Sequence, residues 1–232
     1  MSNNQAADFV SALQELPSLP AVFNPWRDVD PVYDLGSKSP LRRAEHLVQY
    51  LSERTGRVRL VLCAEALGYQ GGHFSGIAMT SERILLGNLA KKGIEAADVI
   101  AGGGQRTSKT TTKTPALGAN EPTATIVWGA LKKAGIDTRD VVLWNAFAPH
   151  PMKTPTDWLT NRKPTPQELK VGRPLLEQFL DMFPGARTVA IGRVSEGILT
   201  DMGIQVAAQV RHPANGGANA FRDGVASLLT EI

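Results

Sequence analysis

Four short apolar runs, at 58–63, 141–145, 188–191 and 206–210, recur along the chain with helical patterns between them, and this alternation constrains the fold most. Runs of this length flanked by turn residues read as buried strands. Strands separated by helical stretches are joined by crossovers, so they lie parallel in one sheet with helices on its faces. The expected fold is α/β, a three-layer α/β/α sandwich around a central, mostly parallel four-stranded sheet. Phe9, Val10, Leu13 and Leu16 mark a first helix. Ser39 and Pro40 read as N-cap and first helical position of a second, with Leu41, Ala44, Leu47, Val48 and Leu51 on its apolar face. Further helices are expected at 80–93, closed by Gly93, and at 121–134. Thr165-Pro166-Gln167-Glu168 is a capping box opening a helix to Phe183 that Gly172 and Pro174 are expected to kink or split. A short helix after Gly192 and a last one from Phe221 to about Leu229 complete the pattern.

Residues 1–38 divide from the rest: the first helix leads into a proline-punctuated arm, 17–34, which is expected to lack regular structure and to be anchored by Phe23, Trp26 and Tyr33. Residues 39–232 form the main domain, and the 42% hydrophobic content of the 232-residue chain is enough for its core. No run of 18 apolar residues and no apolar leader follows the first methionine, so a cytoplasmic, membrane-free monomer is expected. The single cysteine, Cys63, excludes an internal disulfide and any cysteine-ligated zinc or iron–sulfur centre within one chain. His46, His73, His150 and His212 show no metal-ligand spacing, so chemistry without metal or other cofactor is expected. A net charge of +3 is compatible with an anionic partner.

Ligands of parallel α/β sheets sit beyond the carboxyl ends of the strands. Three stretches fall there: the loop after Cys63, with Glu65, Tyr69, Phe74 and the glycines 68, 71, 72 and 76; Asn145 with the loop to 164; and His212 with the loop to Ala220. From about 98 to 120 runs a long polar stretch that from Ala101 onward carries Arg106, Lys109 and Lys113 with no acid before Glu121, and it reads as a mobile basic loop.

These stretches, in this order from about 58 to 225, resemble the uracil-DNA glycosylase superfamily, a single α/β/α domain that removes uracil from DNA without metal or redox cofactor. The superfamily's first motif, written GQDPYH, GEAPG or GxNPG in its branches, stands here as Ala64-Glu65-Ala66-Leu67-Gly68, and its last, HPS, as His212-Pro213-Ala214-Asn215. Asn145 matches the strand-ending asparagine and Phe74 the aromatic that follows the first motif. Ala64 and Leu67 depart from the usual Gly and Pro, while Ala66 matches the GEAPG branch. That branch normally holds a four-cysteine cluster, so this chain looks like a cluster-less relative. The tyrosine that excludes thymine in some members falls at Gly68, which leaves that role to Tyr69 or the loop.

The resemblance implies uracil-containing DNA as partner, free uracil as product, and roles for particular residues. Glu65 would hold the attacking water and His212 would donate to a uracil oxygen, the charge in the transition state being shared as in other glycosidic cleavage. Ala66, Gly68 and Tyr69 would line the base site, Phe74 would stack on the flipped base, and Asn145 would read uracil against cytosine. Arg106, Lys109, Lys113, Lys153 and Arg211 would contact phosphates, with Asn215, Gly216 and Gly217 offering backbone amides. The alternatives are that Glu65 ties down loop amides and that His212 is an ordinary surface histidine before a turn proline. Two rivals stand beside the glycosylase: a homologue that binds DNA without cleaving it, and a nucleotide-binding domain using the glycines at 68–72 and 102–104. The second lacks both GxGxxG and GxxxxGK[ST].

Overall fold

The computed structural model describes residues 3–229. Its strands are β1 (Val22–Phe23), β2 (Leu60–Ala66), β3 (Val141–Phe147), β4 (His150–Pro151), β5 (Arg187–Ile191) and β6 (Ala208–Val210). Its helices are α1 (Asn3–Glu15), α2 (Ser39–Ser52), α3 (Gly72–Ser75), α4 (Glu82–Leu85), α5 (Ala96–Val99), α6 (Pro122–Lys133), α7 (Pro166–Asp181), α8 (Arg193–Asp201) and α9 (Ala218–Leu229). The main sheet has the order β3-β2-β5-β6, all parallel, and the helices pack around it as the α/β/α expectation requires. From β2 the chain passes to β3 on one side, then returns to β5 on the other. This reversal makes the carboxyl end of β2 the topological switch point of the sheet.

The arm is not wholly irregular: β1 pairs antiparallel with β4, Phe23 opposite His150. Phe9 and Trp26 are buried in the main core, where Trp144 of β3 stacks on Phe179 of α7 at 4.2 Å and meets Phe9 at 5.5 Å. Tyr33, the third expected anchor, is only half-buried.

Four local expectations are corrected. Ser39 lies inside α2 and donates to Thr107 O, so it does not cap the helix. The segment 80–93 is a single turn of helix and a 3-10 turn, because Gly87 at φ +74° interrupts it before Gly93. Helix α7 runs through Gly172 and Pro174 without splitting, and Gly172 leaves room for the Phe147 ring. The basic loop is pinned. The buried Glu82 carboxylate accepts the Thr107, Ser108 and Ala119 amides, and Asp34 of the arm bridges to Ser108. Those bonds fix a segment that lacks secondary structure of its own.

Candidate active site

At the switch point lies a cavity of about 440 Å³, walled by the end of β2, by Asn145, by Glu121, by Asn161–Lys163 and by His212. Register builds its floor. Ala64 of β2 is paired with Asn145 of β3, and residues paired across parallel strands point to the same face. A methyl group beside the asparagine leaves its amide uncovered. Asn145 is 2% exposed, and among the described residues no hydrogen bond occupies its side chain.

His212 follows β6 by two residues. Gly192, at φ +86°, permits its position: a Cβ there would stand 3.0 Å from that of His212. The Ala214 amide donates to His212 Nδ1 at 3.1 Å, so that nitrogen is an acceptor and the ring proton resides on Nε2. Burial, helped by the charge of Arg211, holds the imidazole pKa below its ordinary value. His212 is therefore a neutral donor at neutral pH.

Glu65, the penultimate residue of β2, is half-buried. Burial raises its pKa and the charge of Lys163 opposes the rise. No loop amide hydrogen-bonds to its carboxyl among the described residues, so the amide-tying alternative has no support in the geometry. Ala66 and Gly68 line the same cavity. The Tyr69 amide is taken by Asn161 Oδ1 at 3.1 Å.

The structure separates Phe74 from this group. It is 1% exposed, packs edge-on against His73 at 4.5 Å, and borders a neighbouring cavity of about 390 Å³ with Tyr69, Tyr33 and Lys113. Gln70 lines both cavities. Among the expected phosphate contacts, Arg106 is turned inward, its guanidinium donating to the carbonyls of Ser108, Thr114, Pro115 and Ala116. Lys109 donates to Pro31 O and Val32 O. Gly217 is buried, and a Cβ there would overlap His212 O, so it serves packing and not phosphate. Lys113, Lys153, Arg211, Asn215 and Gly216 are exposed.

Sequence reasoning missed Asn161, Arg162, Lys163, Met79 and Glu121 on the cavity wall. Arg162 is clamped on Glu168 at 2.6 and 2.7 Å and so fixes the loop that carries Asn161 and Lys163. The capping box flagged Glu168, but only as a helix start. Met79, at φ +46°, holds a strained conformation on the cavity wall that no sequence pattern announces. Glu121 was read as a helix boundary; it is the N-cap residue of α6, and its side chain makes no capping bond.

Cys63 is buried within β2, its thiol pKa pushed up to about 12 by burial, and it is the chain's one cysteine. These residues do not fit a four-cysteine cluster. Among the described residues no group of three histidine, cysteine or acidic side chains is placed to hold a metal ion, and no helix is long and apolar enough to cross a membrane.

Fold and cavity together define a parallel α/β domain with a polar cavity at the switch point of its sheet. Among solved structures, the crystal structure of wild-type Pedobacter heparinus SMUG2 is similar, with a TM-score of 0.61 at 9% identity over 97% of each chain. No protein-family model and no curated protein matches the sequence.

Proposed function

We propose that the protein is a monofunctional, cofactor-free uracil-DNA glycosylase that acts as a monomer in the cytoplasm. One observation carries the reading: Asn145, His212 and Glu65, the three residues singled out by the motif resemblance, line a single cavity at the switch point. The fold shared with SMUG2 supports it.

In this reading the uracil is extruded from the stack into the cavity. The Asn145 amide donates to O4 and accepts from N3–H, a pattern that cytosine, with donor and acceptor exchanged, does not match. His212 Nε2–H donates to O2 as negative charge develops there. Glu65 accepts a proton from the water whose oxygen bonds to C1′. The N1–C1′ bond breaks with its electron pair on the base, which takes up a proton to leave as free uracil, and an abasic site remains. Exposed Lys113, Arg211, Asn215 and Gly216 are the phosphate contacts of this reading, with Tyr69 and Phe74 in the adjoining cavity beside the base site.

The test is incubation in chelator with matched oligonucleotides carrying uracil, thymine, hypoxanthine or xanthine, followed by alkali. Cleavage at uracil is expected, with the single-turnover rate falling about 10²- to 10³-fold in Asn145→Ala and His212→Ala, as when one fixed donor to a developing oxyanion is lost. Absence of cleavage at every base overturns the enzyme reading, and retention of an intact uracil strand on the protein favours the non-cleaving homologue.

A further inference from the structure

The glycine-rich loop is shaped around an acid that the motif resemblance does not mention. A side chain at Gly71 would overlap the Glu121 carboxyl, and one at Gly68 would stand 3.9 Å from Glu121 Oε1. Gly71 stays bare and the carboxyl fits into the space above it, while the approach at Gly68 is ordinary van der Waals contact. Glu121 Oε2 is buried and has no hydrogen-bond partner among the described residues. An acid at a helix N-cap ordinarily accepts the free amides of the first turn. Glu121 forgoes them, with Pro122 behind it, and its side chain turns instead to the cavity wall that it shares with Asn145 and His212.

We propose that Glu121 is a base-contacting residue of this cavity, whose neutral carboxyl group donates a hydrogen bond to a carbonyl oxygen of the flipped nucleobase. The inference rests on the glycosylase reading of the cavity and adds a residue to it. Desolvation alone, with no cation beside the group, raises the Glu121 pKa to about 7. Leaving a buried carboxylate unpaired is costly, whereas a carboxylic acid is a donor awaiting an acceptor. The two acids of the cavity thus differ: the charge of Lys163 opposes the rise at Glu65, whereas nothing opposes it at Glu121, which holds its proton below about pH 7. The other ionisable groups on the wall are Arg162, Lys163 and His212. His212 is shifted below its ordinary value by burial and by the charge of Arg211, so its own titration lies on the acid side of that of Glu121.

The experiment compares wild type with Glu121→Gln and Glu121→Ala between pH 5.5 and 9. It reads single-turnover cleavage of a uracil oligonucleotide, and affinity for the same strand carrying uncleavable 2′-fluoro-2′-deoxyuridine. Wild-type rate and affinity are expected to fall as pH rises through about 7. Gln keeps an N–H donor that does not titrate, so its profile is expected to be flat across that range with activity retained. Ala is expected to lose about 10- to 100-fold at pH 6, the effect of removing one buried hydrogen-bonding partner. Loss of activity in Gln as deep as in Ala overturns hydrogen-bond donation, and a wild-type alkaline limb unchanged in Gln overturns the assignment to Glu121. If wild type neither cleaves nor prefers the uracil strand, the glycosylase reading has failed first; cleavage with an unaffected Ala variant sinks this inference alone.

Discussion

Two buried polar regions lie side by side at the carboxyl ends of β2 and β3, and they use their side chains in opposite ways. Behind the cavity, under the N-terminal arm, every partner is supplied. Thr160 O, which can only accept, meets His150 Nε2; His150 Nδ1 meets His73 Nδ1; and His73 Nε2 meets Asp30 Oδ2, at 2.7, 3.0 and 3.0 Å. If both rings are neutral, the chain of donors runs one way and its last proton comes from Asp30. The directions agree: burial raises the Asp30 pKa and depresses that of His73. Beside it Arg43 forks onto Asp34 at 2.6 and 2.9 Å, both side chains fully buried. In the cavity, by contrast, the Asn145 amide and Glu121 Oε2 have no hydrogen-bond partner among the described residues. Polar side chains are thus fully paired under the arm, and among the described residues two at the cavity are left without a protein hydrogen bond.

The sharpest way to break this contrast is a pair of truncations read by urea unfolding. Arg43→Ala leaves Asp34 buried and unpaired and is expected to lower stability by about 3–5 kcal/mol. Asn145→Ala removes an amide that makes no hydrogen bond among the described residues and is expected to leave the unfolding free energy within about 0.5 kcal/mol of wild type. Equal losses in the two variants would erase the distinction.

Acid sharpens it further. Burial, and then the neighbouring His73, lower the His150 pKa to about 3. The unfolded chain therefore binds this proton first, and His150 withdraws stability as pH falls below about 6.5. Glu121 acts in the opposite sense: its raised pKa makes the fold gain stability as pH falls through about 7. The two contributions are separated by comparing wild type with His150→Gln. The stability gap between them is expected to narrow by about 2 kcal/mol from pH 7 to pH 5. A constant gap would mean that the His150 proton is shared equally by folded and unfolded chains.

The smallest effect concerns the basic residues. Arg211→Ala is expected to reduce the salt slope of DNA binding by about 1, the release of one counterion. Arg106→Ala is expected to leave that slope unchanged, because its guanidinium is spent on loop carbonyls. A reduced slope in Arg106→Ala would return it to the interface.

The sheet was legible because strand burial writes itself as apolar runs, and β2, β3 and β5 fall where those runs lie. Asn145 and His212 were legible because each ends or follows such a run. Glu121 was not: its meaning depends on the space above Gly71, 50 residues away in sequence, and a helix-start acid looks the same whether or not it caps. Glu82 was equally silent, since a carboxylate that gathers the amides of a distant loop leaves no periodic trace. The charge of Arg106 was visible, but its direction is set by carbonyls that only the folded loop presents. His73 and His150 lie in two of the stretches beyond the strand ends, but their pairing with the arm follows from β1 meeting β4, a bridge too short for any sequence pattern to show.

The pairing of Ala64 with Asn145 has a consequence for how such a chain tolerates insertion and deletion. Side chains on a strand alternate between faces, so one residue added or removed between Leu60 and Ala64 turns every later side chain of β2 to the opposite face. The surrounding loops can be lengthened residue by residue, each addition costing only a fraction of a kcal/mol in closure entropy. The strands that carry the floor obey parity instead: their lengths change in twos or the floor is lost at one stroke. In a lineage of such proteins, the loops can drift by small steps while the strand ends either keep their count or abandon the chemistry.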